Sequence, residues 1–447
     1  MAWKSVRAIT LATLVGAISS VGQVAGAQPT QIVRFLQNET DPPSIAFYNK
    51  AIAEFEKQNP DIKIEMESVS TDARLQKVTA ALRAHTMPDV FKLLSEERVE
   101  FAHKGYLVSL DDIISEIGEK DFVSGSLSKV DGHYYDVPYA LNNFSVLWYR
   151  RDLLKAVGLQ PPGNWQELEA AAKALNTKGI NGFIFPAGQN RMTSLYLATL
   201  MWSAGGTFFD KNLNVTFDNP ATVKALAFLK RMAQYAPKGV VSYSYSDMIN
   251  VYLTGKIGLD IYAARLMANA QQTVPKLAAL TSAALMPKGP AGVGVPFLST
   301  NSYAIASPKA GAKHTEAAKK FLKFIVSGER ARDFALTAFP HMIPPIKSQQ
   351  EAVLAAGKKL VAGRDDVGRV TFDTANALDF DQEAGATFSD GKVIKSGVHN
   401  PYIGPIIARG IPAQVVQRVV IKGEDPAKAA AWGAEQMKAI VRDLKNR

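Results

Sequence analysis

The alternation of two hydrophobic periods across residues 31–105 constrains this chain more than any other feature. QIVRFL (31–36) is β-rich and alternates, which predicts a strand. Residues 45–58 then place Ile45, Tyr48, Ile52 and Phe55 on one helical face, and Asn59-Pro60 stops that helix. Ile62, Ile64 and Met66 alternate again, so 62–69 reads as a second strand. A second helix is expected over 74–84, a third strand from Pro88-Asp89-Val90-Phe91, and a third helix over 96–103 that ends at Gly105. Strand and helix in strict alternation bury both kinds of apolar face only when a mainly parallel sheet carries helices on both sides. The expected class is therefore α/β.

The same signals return later. They predict helices over 165–175, 194–203, 221–235, 315–326 and 427–444, and strands over 182–185 and 302–306. Three breaks punctuate the chain: Pro138, the Pro/Gly run MPKGPAG (286–292), and FPHMIPP (339–345). No fixed-period repeat is present.

Residues 1–27 carry Lys4 and Arg7, an apolar stretch over 8–18, and Ala25-Gly26-Ala27. This is the pattern of a cleaved export signal, and the apolar stretch is too short for a spanning helix, which needs about 20 residues. The chain has no cysteine, which removes a lipid-anchored N-terminal Cys, disulfides and thiolate metal sites. The expected location is the periplasm, as a soluble, unanchored protein. The formal charge of +10 falls by two once Lys4 and Arg7 are removed. Its positive residues are interspersed with acids, no basic block of five or more occurs, and export makes nucleic acid an unsuitable partner.

Catalytic signatures are weak. None of the six histidines forms a metal-spaced pair, and Gly-x-Ser-x-Gly and the phosphate-cradling lysine loop are absent. Ser126-Leu127-Ser128-Lys129 with Lys395-Ser396-Gly397 imitates a penicillin-recognising serine enzyme but lacks the intervening Ser-Asp-Asn. Asp111-Asp112 and Asp365-Asp366 imitate a glycosidase pair, yet acids at helix starts complement the helix dipole. No catalytic residue, metal ligand or cofactor is assigned.

One stretch carries a resemblance. GHYYDVPY (132–139) is a Gly-turned hairpin leading into a Pro, followed by an extended run over 144–149, then YRRDLLKAVGL (149–159) and PPGNWQEL (161–168). In this order they resemble the motifs of the solute-binding proteins of ABC-type sugar importers, extracellular solute-binding family 1. FEKQNPDIKI (55–64), MPDVF (87–91), GYLVSLD (105–111), GGTFFD (205–210) and residues 315–329 are similar to further motifs of that family. The resemblance implies a two-lobe fold with three chain crossovers. One lobe would be 28–140 with 290–341, and the other 141–289 with 342–447. It also implies a monomer that binds a sugar or related polyhydroxy solute between its lobes, delivers it to an ABC permease, and catalyses nothing. An exported enzyme, a sensor adaptor on the same fold, and a binder of an anionic polyol phosphate or sugar acid remain as alternatives.

Ligands of open α/β sheets bind beyond the strand C-termini. This places Asn38, Glu39 and Thr40 after the first strand, and Ser95 and Glu96 after the third. The resemblance implies that Glu96 accepts from sugar hydroxyls and that Asn142 and Asn143, at the first crossover, touch the solute. Trp202, just before Gly205-Gly206, is the candidate stacking platform. GKIGLDIYAAR (255–265) departs from the family pattern: Arg265 replaces an aromatic and Tyr262 a small residue. Tyr262 can take over stacking, whereas Arg265, joined by Arg191, can grip an anion. Thr300, Asn301, His341 and Tyr402 complete the expected set.

Overall fold

The computed structural model describes residues 31–446 apart from 124, 178 and 362. The expected export signal, residues 1–27, lies outside the described residues. Among the described residues nine strands build two sheets: β1 (Gln31–Gln37), β2 (Ile62–Ser68), β3 (Val90–Leu93), β4 (Val137–Asn143), β5 (Val146–Arg150), β6 (Asn181–Ile184), β7 (Ile257–Tyr262), β8 (Thr281–Ala284) and β9 (Leu298–Ile305). The first sheet has the order β2-β1-β3-β9-β4 and the second β6-β7-β5-β8. A separate hairpin pairs β10 (Thr387–Ser389) with β11 (Lys392–Ile394).

The sheets are mixed rather than mainly parallel. β1 runs parallel to β2 and β3, and β6 to β7, as βαβ crossovers require. However, β9 is antiparallel to β3 and β4, and β5 is antiparallel to β7 and β8. The reason lies in connectivity. β4 and β5 are separated only by residues 144 and 145, so one strand leaves the first sheet as the next enters the second. β9 returns the chain to the first sheet beside β4.

Local capping sets the element boundaries. The first helix begins at Pro42, ahead of its apolar stripe, because Asp41 accepts from the Ser44 N–H and prolines fill the first turn. Ser70 similarly starts the helix Thr71–Ala84 at its β-region cap. Between Val130 and His133, Asp131 and Gly132 both take positive φ, so the expected Gly-turned hairpin is present. Helices Thr315–Val326 and Gly328–Thr337 pack on the first sheet's side. Helices Arg191–Ser203, Pro220–Met232, Ile411–Val420 and Pro426–Lys445 pack together in the second lobe. Among the described residues no helix is long and apolar enough to cross a membrane.

Candidate functional site

A cleft of about 1020 Å³ lies between the lobes. Its first-lobe wall is built at the C-terminal ends of β1 and β3, where the chain turns from sheet into helix. Asn38, Glu39, Thr40 and Asp41 follow β1, Lys92 and Leu94 close β3, and Glu96 opens the helix Ser95–His103. The facing wall carries Arg191, Tyr245 and Arg265. Arg191 is held at the first turn of its helix because Asn190 accepts from the N–H groups of Met192 and Thr193. The floor is the crossover region, with Asn142, Phe144, Asn301 and His341.

Two ion pairs span the cleft. Arg191 Nε lies 2.6 Å from Glu96 Oε1, and its Nη2 lies 3.1 Å from Oε2. Arg265 Nη2 lies 2.6 Å from Glu39 Oε2, with Nη1 3.1 Å from Asp41 Oδ2. Arg74, within the first lobe, grips Glu97 at 2.8 and 2.7 Å. Burial would raise the Glu96 carboxyl, but the Arg191 charge and hydrogen bonds overcome it and hold Glu96 below the usual carboxylate range. Arg265 and Arg191, read from sequence as possible anion grips, are therefore already neutralised by carboxylates of the opposite lobe.

A polar chain runs along the floor. Lys92 Nζ donates to Tyr139 Oη at 3.1 Å and to Asn301 Oδ1. Asn301 Nδ2 donates to Asn142 Oδ1, and Asn142 Nδ2 donates to the His341 carbonyl at 2.7 Å. Burial, with the charges of Arg265 and Lys92, holds the His341 ring well below its usual basicity, so it is neutral. His341 Nδ1 and Asn38 Oδ1 are buried with no hydrogen-bond partner among the described residues. Phe144 meets Tyr245 and His341 edge-on at centroid distances of 6.1 Å, forming an aromatic corner.

The cleft brings together Asn38, Glu39, Thr40, Glu96, Asn142, Arg191, Arg265, Asn301 and His341 of the expected set. Six expected residues do not line it. Asn143 and Thr300 are strand neighbours of lining residues, and successive side chains of a strand point to opposite faces. Asn143 instead donates to the Thr371 carbonyl at 3.3 Å and accepts from the Ser145 N–H at 2.9 Å, fixing the crossover. Trp202 is fully buried, stacked on Phe297 at 5.8 Å, and so is core rather than platform. Tyr262 is also fully buried and donates to the Tyr245 carbonyl at 3.0 Å; Tyr245, not Tyr262, offers its ring to the cleft. Ser95 points its Oγ at Glu96 Oε2, 3.3 Å away. Tyr402 stacks on Phe209 at 6.3 Å, although the following Gly404 and Pro405 reach the cleft. Lining residues absent from the expected set include Asp41, Arg74, Lys92, Phe144 and Tyr245. Lys92 had a legible signal: a lone charge inside the apolar strand VFKL.

The enzyme-like motifs dissolve in three dimensions. Ser126 is buried and donates to the Val123 carbonyl at 2.8 Å, while Lys129 lies over the Tyr134 ring. Asp111 and Asp365 open helices Asp111–Ile117 and Asp365–Phe372. No cluster of metal-ligating side chains occurs among the described residues.

Two α/β lobes joined by crossover strands around a polar cleft define the class of two-lobed periplasmic-type binding proteins. The chain matches the family model of the bacterial extracellular solute-binding proteins over residues 40–329, and it belongs to that family. A putative binding protein of Brucella abortus is 27% identical over 312 residues, spanning 68% of this chain and 74% of that one. The putative ABC transporter periplasmic-binding protein YcjN of Escherichia coli K12 is 24% identical over 332 residues, 71% and 73% of the two chains. Among solved structures, the maltose-bound MalE3 of T. maritima superposes with a TM-score of 0.75 at 21% identity, covering 92% of this chain and all of that one. A solute-binding protein of Agrobacterium vitis with bound D-mannitol superposes at 0.71 and 20% identity, covering 93% and 99%.

Proposed function

We propose that this protein captures a carbohydrate or polyol in the interlobe cleft and hands it to the permease of an ABC importer, without chemical change to the solute. The observation that carries the reading is the polar make-up of the cleft. Carboxylates, amides and guanidiniums converge there from both lobes, beside one aromatic corner. Such a set both donates to and accepts from hydroxyls, and charged partners strengthen those hydrogen bonds roughly twofold. His341 Nδ1 and Asn38 Oδ1 lack partners among the described residues, and leaving a buried polar atom unmet costs about 1–3 kcal/mol. Closure around a hydroxylated solute offsets that cost, whereas closure on nothing does not. The maltose and D-mannitol held by the structural neighbours are solutes of this chemical class.

In this reading the lobes are 28–140 with 290–341 and 141–289 with 342–447, hinged at the crossovers and closing about the solute. The protein is exported, freed of its leader, and without a lipid tether because it has no cysteine. Isothermal titration with neutral sugars and polyols tests the reading. Saturable binding that Asn142→Ala and Asn301→Ala each weaken by about 1–3 kcal/mol supports it, in line with the loss of buried hydrogen bonds. Binding unaffected by both substitutions places the solute elsewhere and overturns it.

A further inference from the structure

Among the described residues six cationic side chains line the cleft, and they are not equivalent: Lys104 pairs with Glu100 and Arg83 is exposed, whereas the other four are buried or half-buried. Arg74, Arg191 and Arg265 each hold a carboxylate. Lys92 holds none among the described residues. It lies on β3 in the middle of the first sheet, its side chain lines the cleft, and it is only 4% exposed. Its two polar contacts, Tyr139 Oη and Asn301 Oδ1, are neutral and use two of three N–H groups. A buried ammonium ion is expensive without a counter-charge.

We infer that Lys92 marks a subsite for an anionic oxygen group carried by the solute, a carboxylate or a phosphate on a sugar or polyol. The inference rests on the cleft being the solute site. The groups facing this position are Glu39 and Asp41 after β1, Arg74 from the helix Thr71–Ala84, and Glu96 and Glu97 from the helix Ser95–His103. Tyr139 on β4, Tyr303 on β9, His341 on the floor, and Arg191, Arg265 and Tyr245 from the second lobe complete the set. The carboxylates among these are engaged by arginines. Burial, reinforced by the charges of Arg74, Arg191 and Arg265 and opposed by Glu39, lowers the Lys92 amine to about 7. The amine is therefore close to losing its proton in the empty cleft, and an arriving anion supplies the charge that retains it.

The test is isothermal titration of the full mature chain at low salt with matched pairs: glucuronate against glucose, galacturonate against galactose, and sorbitol 6-phosphate against sorbitol. The expected result is that one anionic member binds at least tenfold more tightly than its neutral parent. For a carboxylate ligand, which stays ionised throughout, affinity should fall by about tenfold between pH 6 and pH 8, as the free amine gives up its proton. Lys92→Met should remove both the preference for the anionic member and the pH dependence. The wild-type pH series stands alone if that variant does not fold. The carboxylate and phosphate pairs separate the two sources of the anion. Neutral members that bind as tightly as their anionic partners overturn the Lys92 subsite and leave the carbohydrate reading intact. Binding by no member of any pair overturns both.

Discussion

Replacing Gly404 with alanine adds one methyl group where the lobes touch. Gly404 sits in the helix Ile403–Ala408, which packs on the second-lobe helices Ile411–Val420 and Arg191–Ser203 and also meets the first-lobe helix Ser95–His103. A Cβ on Gly404 would lie 2.3 Å from the Glu96 carbonyl oxygen and 3.2 Å from its carbon. Both are backbone atoms, so no side chain can swing aside, and the contact must open by about 1 Å to reach ordinary van der Waals separation. Overpacking of this kind costs about 1–3 kcal/mol. Here the penalty applies to the closed arrangement alone, because opening the lobes withdraws the Glu96 carbonyl. A penalty confined to the binding-competent state reduces affinity by the corresponding factor, about 5- to 150-fold. Titration calorimetry reads the affinity, small-angle scattering reads closure, and thermal unfolding of the ligand-free protein reads the fold. The expected outcome is weaker binding, incomplete ligand-induced compaction and a nearly unchanged ligand-free midpoint. Unchanged affinity, or a ligand-free midpoint that falls in step with it, would refute the reasoning, since the contact would then be a permanent part of the core.

Arg191→Met leaves Glu96 buried and uncompensated in the closed form; calorimetry should show a loss of about 1–3 kcal/mol in binding, partly restored in Arg191→Met/Glu96→Gln. Trp202→Ala should destabilise the protein by about 3–5 kcal/mol in denaturant titrations, while the folded variant binds normally, since the indole is core. Glu383 is fully buried with one oxygen on the Phe208 N–H at 2.8 Å, and burial pushes its carboxyl from the usual 4.5 up to about 8. A raised acid binds its proton more tightly when folded, so its contribution is present at low pH and is lost as pH rises from 4.5 through 8. Glu383→Gln should flatten that slope and stabilise the protein by up to about 3 kcal/mol at pH 7, as measured by urea midpoints across the range.

The elements that caps and periodicity can mark were legible. Helices Trp165–Leu175 and Thr315–Val326 fall where the periodicity places them. β4 was visible only as the end of a hairpin, and β7 and β8 only as a motif or not at all. β8 is only four residues long, and β4 and β7 are buried throughout, so they show no alternation. The site was legible at strand ends, where Glu39 and Glu96 were expected and are found. It was not legible in facing. Choosing Asn142 over Asn143, or Asn301 over Thr300, depends on a strand's rotation about its axis, which register fixes and composition does not. Nor could the sequence pair Glu96 with Arg191 or Glu39 with Arg265, because those contacts arise from the approach of two lobes. Trp202 misled because its helix, Arg191–Ser203, is buried on almost every face, so an aromatic beside Gly205-Gly206 carries no mark of exposure.

The central claim is that the interlobe cleft binds a polyhydroxy solute, and a thermal-shift panel of neutral sugars, polyols, sugar acids and polyol phosphates on the mature chain tests it most directly. A ligand at a hundredfold excess over its dissociation constant stabilises the native state by about 2.7 kcal/mol. The account predicts a saturable rise in the unfolding midpoint with at least one member, and a smaller rise at the same concentration in Gly404→Ala. A flat panel at millimolar concentrations, or a rise of equal size in Gly404→Ala, would contradict it.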